Sequence, residues 1–129
     1  MQAHILVIDD DTTVLEMMRY AMEGEGYRVT TSPSYFDELK EIEDLQLDLI
    51  ILDFKIRGRN TSWTFLQKVR LHPPTAQIPI FLCTAGLSDV REQEDILREK
   101  GIPVLYKPFS LAELFDLIHT CLIPPASTR

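Results

Sequence analysis

Residues 49–53 read LIILD, a run of four apolar residues that ends at an acid. Two similar runs, ILVI at residues 5–8 and IFLC at residues 80–83, end at Asp9 and Thr84. Short apolar runs without polar alternation are typical of strands that are buried on both faces of a parallel sheet. We therefore predict three central parallel strands, each with a polar residue at its carboxyl end.

Weaker apolar runs at residues 27–30 and 103–106 predict two strands nearer the sheet edges. Between the strands, the spacing of apolar residues is typical of helices. The predicted helices are a first one that ends near Gly24 and Gly26, followed by helices at residues 35–44, 62–71, 88–100 and 111–122. The candidate caps of the first helix are Asp11, Thr12 and Thr13, the last in a Thr-x-x-Glu capping box.

Strands therefore alternate with helices in the order βαβαβαβαβα. This order predicts right-handed crossovers and a parallel sheet that helices cover on both faces. We predict an α/β fold with a doubly wound five-stranded parallel sheet of order 2-1-3-4-5, the flavodoxin-like (βα)5 arrangement. The 129 residues suit one domain, which we place at residues 1–123, with a short C-terminal tail at residues 124–129.

The chain carries 20 acidic and 13 basic residues, a formal net charge of −7. An acidic surface repels the phosphates of nucleic acid, so we expect no direct nucleic-acid binding. No apolar run approaches the roughly 18 residues of a membrane span, and the N-terminus does not read as a signal peptide. The two cysteines, Cys83 and Cys121, lack a CxxC or metal-finger spacing, which predicts reduced thiols in a cytoplasmic protein.

Polar and charged residues follow the predicted strands. Because the carboxyl ends of parallel strands meet at one edge of a sheet, these side chains should share a crevice. They are Asp9, Asp10, Asp11, Asp53, Thr84 and Lys107. Crowded carboxylates repel one another, and a hard divalent cation, Mg²⁺ or Mn²⁺, relieves this repulsion.

The same set contains the groups that phosphoryl transfer needs. Asp53 can act as a nucleophile toward a phosphoryl donor, which gives an aspartyl phosphate. Lys107 would then pair with the new dianion, and the hydroxyl of Thr84 would donate a hydrogen bond to it. Taken singly, each residue has a structural explanation, Asp11 as a helix cap and the others as loop or strand-end groups. Their joint position at the strand ends favours a functional site.

Four stretches resemble the motifs of the receiver domain of two-component response regulators. They are residues 5–11 (ILVIDDD), 49–53 (LIILD), 79–85 (PIFLCTA) and 107–109 (KPF). The resemblance covers nearly the whole chain. It implies that Asp53 accepts a phosphoryl group from a sensor histidine kinase or a phosphotransfer protein, and that the peptide bond between Lys107 and Pro108 is cis.

The resemblance also implies roles for the other site residues. Asp9 and Asp10 match the acidic pair at the metal site, and Lys55 matches the position whose backbone carbonyl binds the metal. Thr84 matches the switch hydroxyl, and Lys107 matches the lysine that pairs with the phosphate.

The implied function is that of a stand-alone receiver, a signalling switch without an output domain of its own. Phosphorylation would bias the face built from helix 4, strand 5 and helix 5 toward a downstream protein, or toward a second copy in a homodimer. We expect no enzyme activity beyond self-phosphorylation from small donors and autodephosphorylation.

Two departures from the family pattern concern this site. The loop after Asp53 replaces the family's proline with Arg57 and is basic, since it also contains Lys55 and Arg59. This loop is a solvated segment, a device that tunes the lifetime of the phosphate, or a surface for an acidic partner.

The second departure is the switch aromatic, which the family often has three positions before the lysine. This chain has Val104 there, and its aromatic residue is Tyr106. Since one step along a strand changes the face, we expect Tyr106 to lie on the other face and not to replace the missing aromatic. Phosphorylation would then be sensed through Thr84 and the following loop alone.

Two other functions fit parts of the sequence. Residues 9–13 read DDDTT, which fits the DxDxT opening of haloacid-dehalogenase-type phosphatases, with Asp9 as the nucleophile. Those enzymes need a second acidic pair for Mg²⁺, and after Lys107 the sequence offers only Glu113 and Asp116, within a predicted helix. A receiver-like scaffold that binds its partner without phosphate is the third hypothesis, which the two departures keep open.

Overall fold

The computed structural model describes residues 2–54, 62–85 and 93–122. Strands and helices alternate along these residues. The elements are β1 (His4–Ile8), α1 (Thr12–Gly24), β2 (Arg28–Ser32), α2 (Leu39–Leu45), β3 (Leu49–Leu52), α3 (Ser62–Leu71), β4 (Ile80–Thr84), α4 (Glu94–Glu99), β5 (Val104–Tyr106) and α5 (Leu111–Leu122). None of the helices in these ranges is long and apolar enough to cross a membrane.

The five strands form one parallel sheet of order β2-β1-β3-β4-β5, which confirms the predicted topology. Every residue of β1, β3 and β4 is buried, as their unbroken apolar runs indicate. In register across the centre, Val7 pairs with Ile51 and Ile51 pairs with Phe81. The carboxyl ends of the three central strands therefore lie side by side.

Alternate residues of the central strands supply two separate cores. In β3, Ile50 and Leu52 belong to the core that α2, α3 and α4 cover. Leu49 and Ile51 belong to the opposite core, which α1 and α5 cover. The strand that ends at Asp53 is thus enclosed on both faces.

Asp11, one of the three candidate caps, is the N-cap of helix α1. Its carboxylate accepts hydrogen bonds from the backbone N–H of Thr13 at 3.0 Å and of Val14 at 3.4 Å. The capping box that starts at Thr13 is therefore not the cap. The helix ends at Gly24, and Gly26, at a φ of 92°, turns the chain toward β2.

The largest error in the predicted boundaries is helix α2, which begins at Leu39 and not at residue 35. The hydroxyl of Ser32 bonds the backbone of Ser34, which holds this segment in a turn, and Glu38 is still extended. Smaller corrections are that β2 runs to Ser32 and that β4 includes Thr84. Residues 88–92 of the predicted fourth helix and the predicted tail at residues 124–129 lie outside the described residues.

We expect Asp11→Ala to lower the free energy of unfolding by about 1 kcal/mol, because two N–H groups of the first turn of α1 lose their acceptor. Urea denaturation without divalent cations measures this change. Asp11→Ser, which keeps a capping oxygen, is the matched control and should stay close to wild type. Equal losses in the two variants would contradict a capping role.

Candidate functional site

The candidate site lies at the carboxyl edge of the sheet. Asp9 directly follows β1, Asp53 directly follows β3, and Thr84 is the last residue of β4. These residues are almost fully buried, with 3%, 8% and 1% of their surface exposed. Lys107 follows β5 and reaches the same edge from the neighbouring strand.

Three carboxylates meet at this edge. Asp9, Asp10 and Asp53 each offer an oxygen that lies within 4.8 Å of those of the other two. Asp10 is exposed, whereas the other two are buried. Carboxylate oxygens in this arrangement are the ligands that hard divalent cations prefer.

Lys107 balances part of this negative charge. Its Nζ donates a hydrogen bond to Oδ2 of Asp9 at 2.6 Å and lies 3.7 Å from Oδ2 of Asp53. Burial acts to lower the pKa of Lys107, but the hydrogen bond that its ammonium donates to Asp9 and the charge of Asp53 outweigh burial and raise this pKa above its ordinary value. The ammonium therefore stays charged at neutral pH, and three carboxylates with one ammonium leave a net charge of −2.

Backbone hydrogen bonds fix the residues that carry these charges. The N–H of Asp53 donates to the carbonyl of Ile8 at 2.9 Å, which ties the end of β3 to the end of β1. The N–H of Lys107 donates to the carbonyl of Thr84 at 2.9 Å, which ties β5 to β4 in the same way. The relative positions of the site residues are thus set by the sheet itself.

Comparison with known proteins identifies this arrangement. The sequence profile of the response regulator receiver domain matches residues 5–119, which is most of the chain. The chain belongs to the response regulator receiver domain family. This result confirms the resemblance seen in the sequence and favours the receiver hypothesis over the phosphatase hypothesis, in which Asp9 would be the nucleophile.

Relatives of this receiver include two transcriptional regulators. It is 29% identical over 125 residues to the phosphate regulon transcriptional regulatory protein PhoB of Escherichia coli. The aligned region covers 95% of this chain and 52% of PhoB. It is 28% identical over 113 residues to the alginate biosynthesis transcriptional regulatory protein AlgB of Pseudomonas aeruginosa. That aligned region covers 88% of this chain and 24% of AlgB. The receiver thus spans about half of one relative and about a quarter of the other.

Solved structures share its fold. A protein of Chloroflexus aurantiacus described as a response regulator aligns with a TM-score of 0.80 at 32% identity, over 95% of this chain and 98% of that one. The chemotaxis response regulator CheY4 of Vibrio cholerae aligns with a TM-score of 0.79 at 24% identity, over 95% and 100%. The receiver domain of a sensor histidine kinase of Pseudomonas aeruginosa, solved with magnesium in its active-site cleft, aligns with a TM-score of 0.80 at 22% identity, over 95% and 98%.

The structure places the predicted site residues as follows. Asp9, Asp10, Asp53, Thr84 and Lys107 all lie at the carboxyl edge of the receiver's sheet. Asp11 serves as the cap of α1. Lys55 and the basic loop that contains Arg57 and Arg59 lie outside the described residues. The peptide bond between Lys107 and Pro108 is cis, as the resemblance implies.

The expectation about the switch aromatic was wrong. Val104 and Tyr106 are two residues apart along β5, so they lie on the same face, and both pack against the core that α2, α3 and α4 cover. Tyr106 is in register with Thr84, and its hydroxyl donates a hydrogen bond to Glu94 of α4. An aromatic residue therefore does connect β5 of the receiver to α4. It lies two positions further along β5, and so closer to the site, than the position of the family's aromatic residue.

Sequence reasoning missed two further contacts. The first is the contact of Tyr106 with Glu94. The sequence does predict the face of Tyr106, because period-two alternation places this tyrosine on the same face as Val104. The second contact joins the hydroxyl of Tyr35 to the backbone carbonyl of Asp53 at 3.3 Å. No local pattern marks Tyr35, since the two residues are 18 positions apart in the chain.

Cys83 lies in β4 beside the charged groups but is not a reactive thiol. Burial raises the pKa of Cys83 to about 12, while Lys107 acts to lower it and Asp9 and Asp53 act to raise it further. The thiol is therefore neutral at physiological pH, and the thiolate is the form that reacts. Both cysteines are free, as the sequence predicts.

We expect Cys83 to remain unmodified when the folded receiver is treated with iodoacetamide at pH 8, because its raised pKa and its burial both suppress the thiolate. Cys121 is half-buried, and burial raises its pKa as well, so it should react slowly. Peptide mass mapping with and without urea distinguishes the two thiols. Modification of Cys83 in the native protein at the rate of a free thiol would contradict this assignment.

Proposed function

We propose that this receiver accepts a phosphoryl group on Asp53 from a sensor histidine kinase or a phosphotransfer protein. The observation that carries the proposal is the position of the Asp53 carboxylate, which is buried in an acidic cluster and lies 3.7 Å from the ammonium of Lys107. A carboxylate next to a fixed cation is suited to become an acyl phosphate, because the cation can pair with a phosphoryl group that carries about two negative charges. Family membership supplies the class of donor.

The transfer is a displacement at phosphorus. A carboxylate oxygen of Asp53 forms a bond to the phosphorus of a phosphohistidine as the bond between phosphorus and the imidazole nitrogen breaks. The electron pair of that bond returns to the imidazole of the donor. The positions of Asp53 and Lys107 are set in advance by the backbone hydrogen bonds of the sheet, so little rearrangement precedes the step.

The residues present also fit a divalent cation. Asp9, Asp10 and Asp53 provide oxygen ligands, and the net charge of −2 at this edge matches Mg²⁺ or Mn²⁺. We propose that these three carboxylates hold the ion together with the backbone carbonyl of Lys55. A bound Mg²⁺ neutralises charge on the transferring phosphoryl group. The Pseudomonas aeruginosa receiver domain with magnesium in its cleft supports this assignment.

Lys107 and Thr84 are proposed to bind the product. The ammonium of Lys107 already lies between Asp9 and Asp53, so it can pair with the dianionic phosphoryl group on Asp53. The hydroxyl of Thr84, at the buried end of the adjacent strand, can donate a hydrogen bond to the same group. Thr84 is the last residue of β4, which precedes α4, and Lys107 follows β5, which precedes α5.

We propose that the signal leaves through the face of α4, β5 and α5, toward a separate downstream protein or a second copy of the chain. The backbone bond between Lys107 and Thr84 and the side-chain bond between Tyr106 and Glu94 connect the site to this face. In this proposal residues 1–123 form the receiver, which acts as a switch in the cytoplasm. The free cysteines fit a reducing compartment.

We expect incubation with acetyl phosphate and Mg²⁺ to add the mass of one phosphoryl group to the intact protein. Asp53→Asn should abolish this gain, because the amide is not a nucleophile, and removal of the cation with EDTA should abolish it as well. Asp116→Asn, on an exposed position of α5, is the matched control and should gain mass as wild type does. A gain that survives Asp53→Asn would sink the assignment of the phosphoacceptor.

Lys107→Met tests the charge balance of the cluster. Without the ammonium, three carboxylates face one another uncompensated, so we expect the variant to bind Mg²⁺ about tenfold more tightly. Isothermal titration calorimetry measures the affinity. Lys40→Met removes a lysine that pairs with Asp44 on the exposed surface of α2 and should leave the affinity unchanged. Unchanged or weaker binding by Lys107→Met would show that the ammonium does not compete for these carboxylates.

A further inference from the structure

The connection between β2 and α2 reaches the backbone of the phosphoacceptor through Tyr35. The hydroxyl of Tyr35 donates a hydrogen bond to the backbone carbonyl of Asp53 at 3.3 Å. The ring of Tyr35 is half-buried and stacks on Phe65 of α3, with centroids 5.4 Å apart and planes at 22°. The side chain is therefore oriented by packing at its ring and by a hydrogen bond at its tip.

The start of this connection is fixed to the other side of the site. The backbone carbonyl of Ser32 accepts the N–H of Asp9 at 3.1 Å. The hydroxyl of Ser32 donates to the carbonyl of Ser34 at 2.7 Å and accepts the N–H of Ser34 at 3.3 Å. These bonds set the course of the chain from Asp9 to the residue just before Tyr35.

Hydrogen bonds at Ser32 and Tyr35, the two ends of this segment, connect it to both Asp9 and Asp53. The N–H of Asp53 donates to Ile8 in β1, and the carbonyl of Asp53 accepts from Tyr35, so both backbone polar groups of the phosphoacceptor are held. Asp9 follows Ile8 and is held by Ser32. The path from Ser32 to Tyr35 thus fixes the separation of two residues whose carboxylates belong to the acidic cluster.

We propose that Tyr35 is a positioning residue for the acidic site. Its hydroxyl orients the peptide bond that follows Asp53, and this orientation sets how the carboxylates of Asp9 and Asp53 present their oxygens to a divalent cation and a phosphoryl donor. A small displacement of a reacting group lowers the rate of phosphoryl transfer even when the fold is intact. The reason is that the reacting atoms must then be brought into the productive geometry during each reaction. The inference rests on the proposed function and assigns a further residue to it.

The phenol has two separable parts. Tyr35→Phe removes the hydroxyl and keeps the ring that stacks on Phe65, whereas Tyr35→Leu removes both. Tyr20→Phe removes a hydroxyl from a tyrosine of α1 that is 85% exposed, and it serves as the matched control. Each variant is compared with wild type by calorimetric titration of Mg²⁺, by the initial rate of mass gain from acetyl phosphate, and by the melting temperature without Mg²⁺.

Tyr35→Phe should weaken Mg²⁺ binding and slow the initial rate by about fivefold each, the effect expected of one lost hydrogen bond, and should melt only a few degrees below wild type. Tyr35→Leu should show the same losses and melt at a still lower temperature, because the ring stack is also gone. Tyr20→Phe should match wild type in all three measurements.

Wild-type affinity and rate in Tyr35→Phe, with a lower melting temperature in Tyr35→Leu, would overturn the inference, because the tyrosine would then only pack. Phosphorylation of wild type shows that the proposed function holds whatever Tyr35 does. A wild type that binds Mg²⁺ but gains no mass would end the proposed function, and a weaker Mg²⁺ affinity of Tyr35→Phe would still support the positioning role. A wild type without either property overturns both.

Discussion

Repulsion among three carboxylates at one edge of the sheet is the constraint on which the rest of the site depends. Two of them, Asp9 and Asp53, are buried, where like charges repel more strongly than in water. The ammonium of Lys107 compensates part of this repulsion, and backbone hydrogen bonds hold Asp9 and Asp53 at the ends of neighbouring strands. The apolar strands beneath supply the rigid base, because each is buried on both faces.

The fold and most of the site were readable from the sequence for one physical reason. Strands buried on both faces need unbroken apolar runs, and the chain has three of them, each followed by a polar residue. Parallel pairing then brings those residues to the same edge without any knowledge of loops. The meeting of Asp53 and Lys107 at one edge follows from these signals, and the strand order follows from them together with the rules for doubly wound folds. The cap at Asp11 was one of three candidates that the sequence left open.

The features that the sequence does not predict depend on contacts between segments that are distant in the chain. The sequence from residue 35 onward has helical spacing, yet Tyr35 stacks on Phe65 and bonds Asp53, so the helix starts four residues later. Partners of this kind are 18 or more positions away in the chain and leave no periodic trace. The face of Tyr106 is a different case, because strand alternation alone places it on the same side of β5 as Val104.

The burial of β3 on both faces determines which parts of the protein open first. A strand between two cores is among the last parts of a protein to open, so the amide of Asp53, bonded to Ile8, should exchange its hydrogen with solvent very slowly. The elements toward the outer edge are slighter, since β5 has three residues and α4 has six. The phosphoacceptor therefore directly follows a strand that is enclosed on both faces, whereas β5 and α4, toward one edge of the sheet, should open more readily.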